Sequence, residues 1–297
     1  MKMNDHLDKL LADNQSGSYT LTRNVFATYR EYITNFDSDL TVEDMFDDIH
    51  HMSRVLIKHQ PNMVLLRRTT NSLISFFKRL LKGEHGREEI KQSLIEKISQ
   101  IEQDLNENLN NIAVSGSKII ANFNKVMTIS NSTAVSEIIN AAHEFKRKFE
   151  VFCLRSDPPG EGAAFAERLA ARGIKTTLLA DSQAGLIIND MNLVVLGADR
   201  LYESGFVNKS GTLQLVLLAN HFNVPVYLAA ETTKILKETE RSIKLIERDP
   251  GEVHEEKEGL QVINQYYETI PIELIHKVIC EEGVYEREEF VNWYLKG

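Results

Sequence analysis

The stretch Leu193-Val194-Val195-Leu196-Gly197-Ala198-Asp199-Arg200 carries the clearest signal of the architecture. Four apolar residues in a row, without alternation, suit a strand covered on both faces, as in a parallel sheet between layers of helices. The run ends on two small residues and an acid, so an ionisable side chain falls at the carboxyl end of the strand. Ligands of open α/β sheets bind beyond those ends. Working outward, four more short apolar runs lie at 126–129, 149–154, 175–179 and 226–230. Amphipathic stretches at 133–145, 162–172, 182–189 and 212–222 separate them. Alternation at this spacing predicts βαβ units and a parallel sheet.

Upstream of Gly116 the texture is different. Thr41, with Asp44 three residues on, predicts the start of a helix whose apolar positions are Val42, Met45, Phe46, Ile49, Met52, Val55 and Leu56. Pro61 predicts a break before the next helix. A longer segment repeats Ile90, Leu94, Ile95, Ile98, Ile101, Leu105, Leu109 and Ile112 in steps of one, three and four. The expected organisation is a helical domain over 1–115 and an α/β domain over 116–297. Residues 237–259 read as a charged excursion, and 263–295 carry their apolar residues irregularly.

Composition narrows the function. The chain has 297 residues, 42% apolar and 26% charged, as a globular protein does. Lys plus Arg is 34 against 43 Asp plus Glu, a formal charge of −9, which disfavours direct binding of nucleic acid. The two cysteines, Cys153 and Cys280, fit no zinc or CxxC spacing and suit a reducing compartment. His50-His51 lacks the spacing of helix metal ligands, and no metal site is expected. The N-terminus lacks the apolar stretch of a signal peptide, and no window approaches roughly 18 uninterrupted apolar residues. The expectation is a cytoplasmic protein without a membrane span.

Every predicted strand ends in polar or ionisable residues: Ser130-Asn131-Ser132, Arg155-Ser156-Asp157, Asp181-Ser182, Asp199-Arg200 and Glu231-Thr232-Thr233-Lys234. Four carboxylates, Asp157, Asp181, Asp199 and Glu231, converge in this picture. Carboxylates accept hydrogen bonds from sugar hydroxyls and move protons when burial raises their pKa. Against that, polar residues in loops also cap the next helix. Asn208-Lys209-Ser210-Gly211-Thr212 precedes an apolar helix and reads either as a phosphate cradle or as a plain Thr212 cap. Pro159-Gly160-Glu161-Gly162 fails GxGxxG, because Phe165 stands where the last glycine belongs. Ser16-Gly17-Ser18 with Arg23, and Arg67-Arg68, read as anion contacts or as a helix cap and a solvated basic pair. Cys153 lies within a predicted strand, where an inert buried thiol is expected.

Several of these motifs occur together in one known family. Val126-Met127-Thr128-Ile129-Ser130-Asn131-Ser132, Asp181-Ser182-Gln183-Ala184-Gly185, and Gly197-Ala198-Asp199-Arg200 followed by Asn208-Lys209-Ser210-Gly211-Thr212 resemble the alpha, beta and delta subunits of translation initiation factor 2B. The same family contains methylthioribose-1-phosphate and ribose-1,5-bisphosphate isomerases. The resemblance implies an N-terminal helical domain, a Rossmann-like parallel-sheet domain, and a homodimer or an assembly of dimers. It implies a phosphorylated sugar or nucleotide as ligand, related protein subunits as partners, and no cofactor.

The family's isomerases pair a Cys with an Asp; by resemblance these positions fall on Ser130 and Asp199. Asp181, Asn208, Lys209 and Lys234 match the family pattern; with the strand-end and anion-contact readings above, the candidate binding residues are Ser16, Gly17, Ser18, Arg23, Arg67, Asn131, Ser132, Arg155, Asp157, Asp181, Asn208, Lys209 and Lys234. Two departures stand out. A hydroxyl is a far poorer acid than a thiol, and Arg155-Ser156-Asp157-Pro158 reverses the charge order of the family's Glu–Ser/Thr–Arg–Pro. The expectation is therefore a regulatory, non-catalytic binder, with an isomerase of altered specificity as the alternative. A scaffold that binds only other proteins through its helical half is the third reading.

Overall fold

The computed structural model describes residues 3–13, 16–237 and 247–296. The chain divides into two compact units, Met1–Glu107 and Asn108–Gly297.

The first unit is helical: α1 (Met3–Ala12), α2 (Ser18–Thr34), α3 (Val42–His59), α4 (Val64–Leu80) and the beginning of α5 (Arg87–Ser117). The expected capping box opens α3. Thr41 Oγ1 accepts from the Asp44 N–H at 3.2 Å, and the Asp44 carboxylate accepts from the Thr41 N–H at 2.8 Å. Behind it Met45, Ile49, Met52 and Leu56 are buried at helical spacing. Pro61 stands in the break between α3 and α4, since its ring supplies no N–H to continue a helix. The α4 face of Leu65, Leu66, Leu73 and Phe77 completes this core, with the Phe77 ring edge-on to Phe46 at 5.3 Å.

The second unit is built on a seven-stranded sheet of order β10-β9-β7-β4-β1-β2-β3. Its strands are β1 (Lys125–Ile129), β2 (Glu150–Leu154), β3 (Lys175–Leu179), β4 (Leu193–Gly197), β7 (Val226–Ala229), β9 (Lys277–Cys280) and β10 (Gly283–Glu286). All pair in parallel except β10, which runs antiparallel to β9. The helices α6 (Thr133–Glu144), α7 (Glu161–Ala171) and α9 (Thr212–His221) make the crossovers. Burial on both faces of β4 is complete, as its unbroken apolar run predicts. From β1 the chain winds outward to β2 and β3 on one side and to β4 and β7 on the other. The crevice between the ends of β1 and β4 is thus the topological switch point, where sheets of this kind hold ligands.

Three features differ from the sequence reading. Residues 182–189 do not form one helix. They make a 3-10 turn (Asp181–Gln183), the single-turn α8 (Ala184–Ile187) and a second 3-10 turn (Ile188–Asp190). The stretch after Asp199 is a hairpin, β5 (Arg200–Tyr202) and β6 (Gly205–Lys209), which joins β8 (Tyr267–Pro271) in a second, antiparallel sheet. The irregular-looking tail resolves into β8, β9, β10 and α10 (Arg287–Lys296). Short strands from two different sheets, with apolar residues on both faces of one and one face of another, leave no common period to detect. The charged excursion at 237–259 falls partly outside the described residues. Its described part includes a short 3-10 turn (Pro250–Glu252). Among the described residues no helix is long and apolar enough to cross a membrane.

Candidate functional site

The switch point depends on close approaches that only small residues allow. A Cβ on Gly197 would overlap the Ser132 hydroxyl, so glycine at the end of β4 lets the β1–α6 turn pack beside it. A Cβ on Gly162 would overlap the Leu154 carbonyl, so glycine lets α7 begin directly under the end of β2. Ser132 caps α6, accepting from the Val135 N–H at 3.4 Å.

Two serines at the strand ends adopt left-handed backbone conformations, Ser130 at φ 71° and Ser156 at φ 68°. Non-glycine residues adopt this region at a cost of order 1 kcal/mol or more, and such strain concentrates at functional sites. Hydrogen bonds hold both in place. The Ser130 N–H donates to Ser156 Oγ at 2.7 Å, and the Ser156 N–H donates to Asp181 Oδ1 at 2.7 Å. Asp181 also accepts from the Asp157 N–H at 2.8 Å. Asp181 therefore organises the β2–α7 loop with both carboxylate oxygens. Asp157 and Arg155 face each other in an exposed ion pair at 3.0 Å.

At the centre half-buried Ser130 meets buried Glu161 and Lys209. Ser130 Oγ donates to Glu161 Oε1 at 2.7 Å. Glu161 Oε2 lies 3.4 Å from Lys209 Nζ, and Lys209 is only 3% exposed. Lys209 also donates to the Pro158 carbonyl, and its ammonium sits 4.5 Å from the centre of the Tyr266 ring, a cation–π contact. Burial pushes the Glu161 carboxyl up, against the pull of Lys209 and the Ser130 bond. Burial likewise pushes Lys209 down, against the pull of Glu161.

Asp199 follows β4 directly, its N–H donating to the Val207 carbonyl of β6 at 3.0 Å. Beside it, buried Lys234 donates to the Ala198 carbonyl at 2.9 Å. Burial raises the Tyr267 phenol, and the negative charge of Asp199 raises it further, so it stays a neutral hydroxyl at any ordinary pH. Glu231 is buried next to Lys234; burial pushes its carboxyl up, Lys234 opposes this, and Glu281 adds to it.

The cradle motif takes a specific form. Asn208 and Lys209 end β6, Gly211 caps α9, and Thr212 lies within the helix rather than capping it. Asn208 Nδ2 donates to Thr212 Oγ1 at 3.0 Å. Asn131 accepts from Arg168 at the edge of the cluster. Ser16, Gly17, Ser18, Arg23 and Arg67 belong to the helical unit. There Gly17 caps α2, Ser18 is buried with its carbonyl accepting from Thr22, and Arg23 is exposed. Cys153 is buried in β2 and its thiol is pushed up to about 12 by burial, which makes it inert. The described residues contain no group of three or more His, Cys, Asp or Glu able to hold a metal ion.

Sequence reasoning missed Glu161, Ser156, Tyr266 and Tyr267. Glu161 was legible only as part of a failed nucleotide motif. The available signal was a carboxylate between two glycines at a helix start, directly after a strand-end loop.

The model of the Initiation factor 2 subunit family matches residues 14–287. Ribose 1,5-bisphosphate isomerase of Methanocaldococcus jannaschii is 29% identical over 94% of this chain and 92% of its own length. A Pyrococcus abyssi protein named translation initiation factor eIF-2B subunit 2-like is 28% identical over 94% of each chain. The crystal structure of Pyrococcus horikoshii translation initiation factor eIF-2B shares the fold with a TM-score of 0.80 at 23% identity, over 97% of this chain and 98% of that one. The strand-end motifs, the switch-point sheet and a family match over nearly the whole length agree, and the chain belongs to the initiation factor 2 subunit family.

Proposed function

We propose that the switch-point cluster binds a phosphorylated sugar and interconverts its aldose and ketose forms. The observation that carries this reading is Asp199. It stands at the end of β4, fixed through its own N–H to β6, with buried Lys234 bound to the preceding carbonyl and neutral Tyr267 beside it. A carboxylate so placed can take a proton from one carbon and return it to the next. Lys209 and Lys234 supply cations for phosphate or for negative charge developing on oxygen. No cofactor is needed for such a proton shift. A similar protein, the M. jannaschii isomerase, spans nearly the whole chain and supports this reading over the non-catalytic one.

The regulatory reading keeps one specific support. Ser130 offers a hydroxyl where the family's isomerases have a thiol, and Arg155 is engaged by Asp157. The family resemblance also supports a homodimer or an assembly of dimers with related subunits, in the cytoplasm.

The test is NMR in D2O with a panel of aldose 1-phosphates, 1,5-bisphosphates and nucleoside monophosphates. Loss of the C2 proton or growth of ketose signals, abolished by Asp199→Asn, supports the isomerase. Ligand line broadening without chemistry supports the regulatory binder. No effect on any ligand leaves the scaffold reading.

A further inference from the structure

We propose that Glu161 is the proton store behind Ser130, passing its proton to the bound sugar through the Ser130 hydroxyl. The inference rests on the isomerase reading and deepens it. Glu161 is the first residue of α7, where an acid commonly stays in solvent and answers the helix dipole. Here it is buried instead, 7% exposed. One oxygen accepts from Ser130 Oγ at 2.7 Å. The other, Oε2, is buried and accepts no hydrogen bond from the described residues; Lys209 Nζ lies 3.4 Å away. A glutamate is almost never buried without a purpose or a full set of partners.

Ser130 has the geometry of a relay. Its backbone is held at φ 71° and its N–H is tied to Ser156, its hydroxyl meets the Glu161 carboxylate, and the residue itself stays half-buried just past the end of β1. A serine hydroxyl is too weak an acid to supply a proton alone. It donates and accepts at once, so it passes on a proton received from a carboxylic acid. A proton on Glu161 Oε1 reverses the direction of the 2.7 Å bond and turns the hydroxyl hydrogen toward the crevice.

The proton count closes for an aldose 1-phosphate. Asp199 takes the proton from C2, and that electron pair forms the C1=C2 bond as the bond from C1 to the ring oxygen breaks. The ring oxygen takes the Ser130 hydroxyl proton while Ser130 takes the proton of Glu161. In the second half the O2 proton returns through Ser130 to Glu161 and C2=O forms. Asp199 delivers its proton to C1. Both carboxyl groups end as they began.

Burial pushes the Glu161 carboxyl up, the direction a proton store needs, while Lys209 and the Ser130 hydrogen bond pull it back. The groups facing it are Ser130 just after β1, Lys209 from β6 and Tyr267 from β8, while Asp181 and Glu252 act on Lys209.

The experiment uses the full chain with Glu161→Gln and Ser130→Ala, the sugar panel, and NMR of carboxyl-labelled glutamate. Glu161→Gln keeps the shape and the acceptor for Ser130 but has no proton to give. Expected is a loss of roughly 10²- to 10⁴-fold in turnover, with panel-sugar affinity within a few fold. The wild-type rate falls as pH rises through the Glu161 titration, and this limb vanishes in the variant. The carboxyl resonance missing from Glu161→Gln titrates above the ordinary glutamate value and shifts in Ser130→Ala. Turnover and pH profile unchanged in Glu161→Gln, or a carboxyl titrating at or below the ordinary value, overturns the proposal. Wild-type protein that turns over no panel member overturns the isomerase reading, and the carboxyl titration then still decides whether Glu161 stores a proton.

Discussion

The helical unit and the strand-end cluster both bury polar side chains, and they satisfy them in opposite ways. In the helical unit Thr22, Ser53, Thr69 and Thr70 each donate to the carbonyl four residues back, at 2.6–2.8 Å. Tyr29 shares a 2.6 Å bond with Ser53. These groups are neutral and their partners are local, so the helix that creates the burial also supplies most of the bonds. At the strand ends the buried groups are ionisable: Glu161, Lys209, Glu231 and Lys234. Glu161 and Lys209 are paired across 48 residues of sequence, and burial moves both toward neutrality. Local neutral polarity serves the fold. Charged polarity gathered from distant strands works against stability and persists where chemistry needs it.

The largest effect should come from emptying the buried pair. Lys209→Ala removes a side chain only 3% exposed, together with its bond to the Pro158 carbonyl and its place against the Tyr266 ring, and truncating a long buried side chain to Ala costs about 2–5 kcal/mol. Urea unfolding measures this directly. Tyr29→Phe removes one hydrogen bond while Ser53 keeps its bond to the Ile49 carbonyl, so about 1 kcal/mol is expected. Combining Lys209→Met with Glu161→Gln removes both ionisable groups while keeping their volume, and should cost clearly less than Lys209→Ala alone. Equal losses for Lys209→Ala and Tyr29→Phe would erase the distinction between the two regions.

The pH dependence sharpens the same contrast. Burial raises the Glu161 carboxyl above its ordinary 4.5, so above that pH the folded state holds a proton that the unfolded state has lost. Stability therefore declines as pH rises from about 4.5 through the folded value. Lys209 works in reverse: its folded value is lowered, so stability climbs with pH between that value and 10.5. Against Glu161→Gln, wild-type protein should lose stability across the first window, read as urea midpoints over a pH series. A flat difference between the two proteins would mean that Glu161 titrates as an ordinary carboxyl.

Much of the fold was legible because its signals are local. The unbroken apolar run of β4 announced a strand buried on both faces, and Thr41 with Asp44 announced a cap. The second sheet was not legible, since β5, β6 and β8 are short and the pairing of β6 with β8 joins residues some 60 positions apart. The site divided along the same line. Asp199 and Lys209 were visible from their places after and before recognisable elements. Glu161 was not, because its meaning comes from Ser130 and Lys209, which lie 31 and 48 residues away and meet it only through the winding of the sheet. The sequence also shows that Asp157 follows Arg155 by two, but only the folded loop shows Asp157 and Ser156 both giving their N–H groups to Asp181.

The smallest effect on stability belongs to the exposed pair, and for that reason it is the cleanest probe of ligand choice. Arg155 and Asp157 are 56% and 44% exposed in their side chains, so water and salt screen the 3.0 Å contact. Arg155→Ala should change unfolding by about 0–1 kcal/mol, far less than Lys209→Ala. Yet the pair sits on the loop whose N–H groups Asp181 organises, next to the cluster. If it selects among sugars, Arg155→Ala changes which panel members broaden while the urea midpoint stays in place. If binding and stability are both untouched, the pair is a surface contact, and ligand choice falls to the buried lysines. A variant that alters both equally would place the exposed pair with the buried one and remove the contrast between screened and desolvated charge at the two sides of this site.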